Sequence, residues 1–289
     1  LRIFAYEYAY ILAPSDHDAQ GIQSGWDIKR ILGTVPVEED GSALFTIPAN
    51  TPISIQPLDK DGAAIQWMRS WLTGMPGEIV SCVGCHEDQN SIPIPKRTIA
   101  STKQARRLET PEGGVRPFTF RLEVQPVPDF RKDQMVTYKR GILTKINKQY
   151  DQSYLNLHPY VYRQGPESDI YVLKPAEFHA SNSELIRILQ AGHHGVEVPE
   201  EDMRTLYAWI DLNAPYYGAF TQIDLKPQSP KGQVERRMEL AEKYSGVRVD
   251  WQKEIADYAD WLKENKKADG ITGATTGETV EIKKPTKPV

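Results

Sequence analysis

The sequence predicts an α+β fold: a β-sandwich-like N-terminal domain, then a mainly helical domain, then a flexible tail. Three observations predict it. Short apolar runs recur about every ten residues over the first third, separated by turn residues. Helical periodicity governs the stretch after Ser183. From Glu264 onward Lys, Gly, Thr and Pro dominate with no period at all. The boundaries this implies are 1–117, 118–263 and 264–289.

Each element has its own signal. Arg2 to Tyr10 alternates, with Phe4, Tyr6, Tyr8 and Tyr10 on one face and Ile3, Ala5, Glu7 and Ala9 on the other, which reads as a strand. Glu39-Asp40-Gly41-Ser42 is a turn, Ala43 to Ile47 a strand, Pro48 to Pro52 a second turn and Ile53 to Leu58 a second strand of that pair. Asp59-Lys60-Asp61-Gly62 turns again before Ala63 to Trp67. Such spacing suggests a small antiparallel sandwich. Trp67, Met68, Trp71, Leu72 and Met75 follow as an apolar cluster, read as ordinary core, as the wall of a ligand pocket, or as both. Residues 91 to 117 read as a long loop in which Ser101 to Leu108 can form a short helix. Lys96, Arg97, Lys103, Arg106 and Arg107 make a basic cluster there, the pattern of a solvated face or, for one or two of them, of partners for haem propionates. Ser183 is placed to cap a helix from Glu184 to Ala191 that buries Leu185, Ile188 and Leu189 and closes at Gly192. Pro199 suits the first turn of another helix, reaching Leu212, with Met203, Leu206, Tyr207 and Ile210 inward and Asn213-Ala214-Pro215 ending it. Gln233 to Tyr244 is charged and helix-prone, and Trp251, Ile255, Tyr258 and Leu262 form a one-face packing stripe.

Composition narrows the function. The net charge of −4 argues against a dedicated nucleic-acid binder. No apolar run approaches the roughly eighteen residues of a membrane span. The chain begins with Leu1 and shows no charged-then-apolar leader, which reads as a fragment or a processed piece.

The two cysteines carry the sharpest signal. They lie three apart and a histidine follows at once: Cys82-Val83-Gly84-Cys85-His86. This is the attachment signature of a c-type haem. Residues three apart on a helical turn share a face, so two thiols can meet the two vinyl groups on one porphyrin edge. The next side chain, His86, then lies beneath the iron as an axial ligand. Val83 and Gly84 are small enough to let the ring approach the backbone. Half a zinc site and a redox dithiol are the rival readings. Zinc wants four ligands, and no second cysteine pair exists. No thioredoxin-like βαβ pattern surrounds the pair. Because covalent haem attachment takes place outside the bacterial cytoplasmic membrane, the expected location is periplasmic or exported.

Several segments together resemble the hydrazine synthase alpha subunit family. They are residues 26–42 (Trp26-Asp27-Ile28 through Asp40-Gly41-Ser42), Arg69-Ser70-Trp71, Met75-Pro76-Gly77-Glu78, and Ser81 to Glu87. Downstream, Leu157-His158-Pro159-Tyr160, Gly192-His193-His194-Gly195 and the stretch from Trp209 to Tyr216 are similar to segments of large multidomain cytochrome-like relatives. The resemblance spans roughly residues 1 to 245. It implies a β-rich middle domain carrying one haem c, a helical cytochrome c-like domain carrying a second, and an upstream propeller. It also implies that the first haem is the catalytic centre, with the motif histidine on zinc and a tyrosine four residues later on the iron. Here that later position is Asn90, which cannot supply a phenolate. The departure argues against hydrazine chemistry and for His86 as an ordinary iron ligand. Relatives carry another CxxCH after the segment matching Leu122 to Val127, whereas this chain passes straight to Pro128-Asp129-Phe130. Either the second haem has been lost, or residues are missing between Val127 and Pro128.

The remaining histidines are candidates of lower standing. His17, in Ser15-Asp16-His17-Asp18, reads as a surface residue or part of a metal cluster. His158 reads as a hydrogen-bonded structural residue. His179 can cap a helix or ligate iron. His193 and His194 suit a helix C-terminus or a haem iron, and in the family pattern a histidine there is placed to be the distal ligand of the second haem. The expected function is electron transfer outside the cytoplasm by a c-type haem protein with a redox partner protein, within a larger multi-subunit or multidomain assembly. The alternative is a haem oxidoreductase, hydrazine synthase alpha-like, that acts on a small nitrogen compound at an open iron. A binding module with structural haem is a third reading that no residue specifically supports.

Overall fold

The computed structural model describes residues 1–7, 21, 28–68, 70–83, 90, 97–109, 135–137, 143–145, 152–163, 174–218, 232–250 and six positions between 253 and 264. Its first third is built on one antiparallel sheet of order β2-β1-β3, formed by β1 (Arg2–Glu7), β2 (Ile28–Thr34) and β3 (Ile53–Gln56). The register pairs Ala5 with Arg30 and Ile53, and Ile3 with Gly33 and Ile55. Those pairs put Ile3, Ala5, Ile53 and Ile55 on one face, because directly opposed residues share a face. A bulge at Leu32 shifts the β1–β2 register between Ile3 and Phe4. Gly33, at φ +148°, is the residue that permits it. A Cβ there would lie 2.5 Å from the Glu109 carbonyl, and that carbonyl accepts a hydrogen bond from the Thr34 amide at 2.9 Å.

The predicted alternation is present over Arg2–Glu7, with Tyr8 to Tyr10 outside the described residues, but neither face is left to water. Arg2 through Ala5 are all buried. One face forms an aliphatic core of Ile3, Ala5, Leu32, Val35 and Ile53, covered by Phe45, Ile47, Leu72 and Leu108 from loops. The opposite face carries Arg2, Phe4, Tyr6, Lys29, Ser54 and Gln56, and Arg2 and Gln56 on it bond to Asp211 in the helical part. The expected sandwich is therefore replaced, among the described residues, by a single sheet with loops on one side and helices on the other. Residues 43–47 form no strand; Phe45 makes only an isolated bridge with Arg106. Ala63 to Trp67 likewise contributes one bridge, Ala64 with Leu58. A separate two-stranded ribbon pairs β4 (Met135–Thr137) with β5 (Leu143–Lys145).

The helical part contains α1 (Gln152–Leu157), α2 (Glu184–Gln190), α3 (Glu200–Asp211) and α4 (Gln233–Ser245). Its core gathers Tyr154, Leu185, Ile186, Tyr207, Trp209, Ile210 and Tyr216, with Ala63 reaching in from the sheet region. Tyr154 is central, edge-on to Trp209 and Tyr216 at 6.1 and 5.1 Å between centroids, with its hydroxyl donating to the Ala214 carbonyl at 2.9 Å. The predicted face of α3 is correct. In α2 the buried pair is Leu185 and Ile186, with Ile188 only half-buried. Pro199 is the N-cap of α3 rather than a residue of its first turn. Ser183 precedes α2 but does not cap it: its hydroxyl accepts from the Tyr162 amide at 2.8 Å and donates to the His179 carbonyl at 3.0 Å. The short helix foreseen at 101–108 is a 3₁₀ turn over Ala100–Thr102. The packing stripe from Trp251 to Leu262 lies outside the described residues, as does all of the tail after Glu264. No helix among the described residues is long and apolar enough to cross a membrane.

Candidate functional site

The segment leading to Cys82 is built along the free edge of β3. Ile53 and Leu72 exchange both backbone hydrogen bonds at 2.9 Å, the Ser54 hydroxyl donates to the Met68 carbonyl at 2.8 Å, and the Asn50 amide donates to the Gly74 carbonyl at 2.8 Å. Met68, Leu72 and Gly74 are thereby held on the sheet. Leu72 then turns into the aliphatic core, while Trp71 lies edge-on to Tyr6 at 6.3 Å on the opposite face.

Met75-Pro76-Gly77-Glu78 reverses the chain with the residues a type II turn demands, proline second and glycine third at φ +75°. The Glu78 amide donates to the Met75 carbonyl at 3.1 Å, and the Glu78 carboxylate accepts from the Met75 amide at 2.7 Å. Beyond the turn, Ile79 to Val83 has no regular structure, and Val80 folds back toward Gly74. This stretch exposes large apolar side chains in succession. Ile79 is 89% exposed and Met75 66%, and Trp71, Val80 and Val83 are exposed beside them. Cys82 is exposed among them, in no disulfide. Large apolar groups exposed in succession are a surface that a ligand or partner can cover. Cys85 and His86, the other two residues of the motif, lie outside the described residues, as does His17.

On the inner side of this rim, the Lys29 ammonium lies 4.5 Å from the Trp67 ring centroid and 5.6 Å from that of Tyr6. His179 packs edge-on to Trp67 at 6.2 Å. Its backbone, at φ 82° and ψ −173°, is in a region otherwise reserved for glycine, and its amide donates to the Tyr162 carbonyl at 3.0 Å. Burial lowers the pKa of the imidazole, and the negative charge of Asp211 opposes this only in part, so His179 is neutral at pH 7.

Asp211, which the sequence offers only as part of the Trp209–Tyr216 stretch, joins the helices to the sheet. It has no exposed surface, and it accepts from the Ala64 amide at 2.8 Å, the Ala180 amide at 2.9 Å and the Arg2 guanidinium at 3.3 Å. Arg2 also donates to Gln56 at 2.7 Å and to the Gly62 carbonyl at 3.0 Å, and Gln56 donates to the Asp211 carbonyl at 3.0 Å. Burial lowers the Arg2 pKa, and Asp211 counters that shift by charge and by hydrogen bond. The one signal available was an arginine at an inward position of a strand, which must find an acid.

The other candidates lie apart. His193 and His194 are exposed in a 3₁₀ turn after α2, their rings 4.0 Å apart and edge-on. His158 is buried and receives Arg163, whose Nε lies 3.2 Å from its Nε2, as the structural reading expected. Lys103 and Arg106 of the basic cluster both pair with Glu38, at 2.5 and 3.3 Å. Among the described residues no group of three or more His, Cys, Asp or Glu side chains is placed to hold a metal ion.

Residues 1–87 match the family model of the hydrazine synthase alpha subunit middle domain, a match that takes in the whole Cys82–His86 motif. No curated protein and no solved structure matches the chain.

Proposed function

From the premise that residues 1–87 are hydrazine synthase alpha-like, we propose that the chain carries one covalent haem c and acts as a redox enzyme on a small nitrogen compound. The observation that carries the reading is the family match running through the CxxCH motif. The local structure fits the group. A thiol free of any disulfide stands exposed on a rim of Trp71, Met75, Ile79, Val80 and Val83, an apolar surface suited to a porphyrin face. Cys82 and Cys85 would form the thioethers and His86 would ligate the iron. The apolar rim would exclude water from the ring. When bound, the haem supplies one-electron exchange and a metal position that small molecules can reach. Covalent haem attachment would put the protein outside the cytoplasmic membrane, and one-electron exchange would require a redox partner there, in a larger assembly.

Electron transfer without substrate chemistry is the second reading. It is favoured by Asn90, which stands where the resemblance implies a tyrosine ligand. Carbon monoxide separates the two. Chain made in a host competent in cytochrome maturation is expected to give a haem c pyridine haemochrome, and its reduced form a Soret shift under carbon monoxide. A covalent haem with no shift leaves the electron carrier standing and removes the enzyme. Colourless protein with the mass of the bare polypeptide removes both.

A further inference from the structure

We propose that the cavity between the sheet and α4 binds a medium-chain aliphatic carboxylate, whose head group takes the Arg30 guanidinium in place of Glu254. The described residues that line this cavity include none of the attachment motif. The register sets Arg30 opposite Ala5, so a cation that is only 8% exposed stands on the face that carries the aliphatic core. α4 crosses this end of the sheet without closing on it. Its Met238, Ala241 and Ser245 are half-buried, no side chain of the helix is fully buried, and the space left beneath it has a volume of about 370 Å³. Two contacts fasten the chain across that space. The Asn50 side-chain amide donates to the Tyr244 carbonyl, and Arg30 donates to both carboxylate oxygens of Glu254 at 2.8 and 2.7 Å. Ordinary interiors leave few voids larger than a water molecule, so a bridged space of this size is unlike core packing.

The lining sets the class of ligand. Ala5, Leu32, Pro52, Met238, Ala241 and Val247 give the cavity an apolar wall, which suits a hydrocarbon chain. Ligand cavities run from roughly 300 to 1,000 Å³, and this one is near the lower end, so a chain of medium length fits better than a long one. Among the described residues of the lining, the charged ones are two arginines, Arg30 and Arg237, against one acid, Glu7. That balance favours an anionic head. Geometry narrows the head to a carboxylate, because Arg30 already holds one through two parallel bonds, the arrangement that a planar guanidinium prefers. The Glu254 side chain is 20% exposed against 10% for Arg30, so the acid is the partner that can leave for water. Exchange then replaces one carboxylate by another at the same cation, and burial of the hydrocarbon chain supplies the gain.

The test is calorimetric titration of the full chain, expressed with haem maturation, as wild type, Glu254→Gln and Met238→Trp. The probes are decanoate, decanol and decylammonium. Wild type is expected to bind a single decanoate, with the alcohol and the amine at least about tenfold weaker, the ratio a charge-assisted pair supplies. Glu254→Gln removes the competing carboxylate and should bind decanoate about tenfold tighter. Met238→Trp fills the cavity and should abolish binding while its circular dichroism matches wild type, because residue 238 is only half-buried. Wild-type affinity in a folded Met238→Trp overturns the cavity as the site. Equal affinity for decanol, or an unchanged affinity in Glu254→Gln, overturns the pairing with Arg30. Should either variant misfold, the comparison of the three probes on wild type decides alone. A Soret shift on adding decanoate would put the acid at the iron and overturn the site. Absence of saturable binding to wild type and to Glu254→Gln overturns the proposal, whereas absence of haem from the chain removes the haem reading and leaves this titration to be read as it stands.

Discussion

The rim around Cys82 and the hub around Asp211 are attached to the same small sheet, and they treat their side chains in opposite ways. At the hub each carboxylate oxygen of Asp211 has a donor, and its charge is opposed by a buried Arg2. At the rim the backbone is tied down by the β3 edge and a type II turn, while Met75, Ile79 and Val83 face outward. The hub obeys the rule that buried charge must be paired. The rim goes against the tendency of large apolar groups to be covered, and does so on well-bonded backbone. The difference teaches which of the two is structural: residues whose neighbours satisfy them hold the fold, whereas the rim residues, left uncovered on a bonded frame, contribute little to it.

Breaking the hub should give the largest effect. Asp211→Ala leaves the Arg2 cation buried without its acid and strands the amides of Ala64 and Ala180, a loss of about 3–5 kcal/mol. Equilibrium urea unfolding followed by tryptophan fluorescence reads it directly. A loss below about 1 kcal/mol would show that the carboxylate is not the bond between helices and sheet.

A smaller effect separates the two regions by pH. The folded pKa of His179 is depressed below its ordinary 6.5 by burial. As pH falls below that ordinary value, the unfolded chain takes a proton that the folded chain refuses, so the stability contribution is present above it and declines toward the folded pKa. Denaturation midpoints measured across that interval should fall on acidification, and His179→Gln should flatten the fall. An unchanged slope in the variant would sever His179 from the hub.

The smallest effect is expected at the rim, and there the near-null value is informative. Ile79→Ser and Val83→Ser should shift unfolding free energy by no more than about 0.5 kcal/mol, because both side chains are already in water. The same pair should lower the yield of covalent haem on maturation. A loss of stability with normal haem content would make the rim an ordinary part of the fold, and the contrast with the hub would fail.

Local chemistry made much of the site and some of the fold legible. The spacing of Cys82, Cys85 and His86 needs only adjacent residues, and so does the Met75-Pro76-Gly77-Glu78 turn. The inward face of α3 followed from its period, since Tyr207 and Ile210 lie one turn apart on one side of a helix. Ser183 shows where such rules lose. A serine before a helix reads as a cap, yet its hydroxyl is taken by the Tyr162 amide and the His179 carbonyl, which the folded chain brings to it. The sandwich expectation is unmet among the described residues for a related reason. Short strands with turns between them say nothing about what covers each face, and here one face met Asp211 instead of a second sheet.

What the sequence by itself determined is the set of features that act within about one turn of chain: the CxxCH spacing, the tight turn before it, and the buried side of α3. What only the tertiary structure decided is the pairing of Arg2 with Asp211, 209 positions away, and the exposure of the apolar run from Met75 to Val83. The physical reason is range. Steric and hydrogen-bond preferences of neighbours are carried by the residues themselves, but whether a charge is paired or an isoleucine is covered depends on which distant segment arrives beside it.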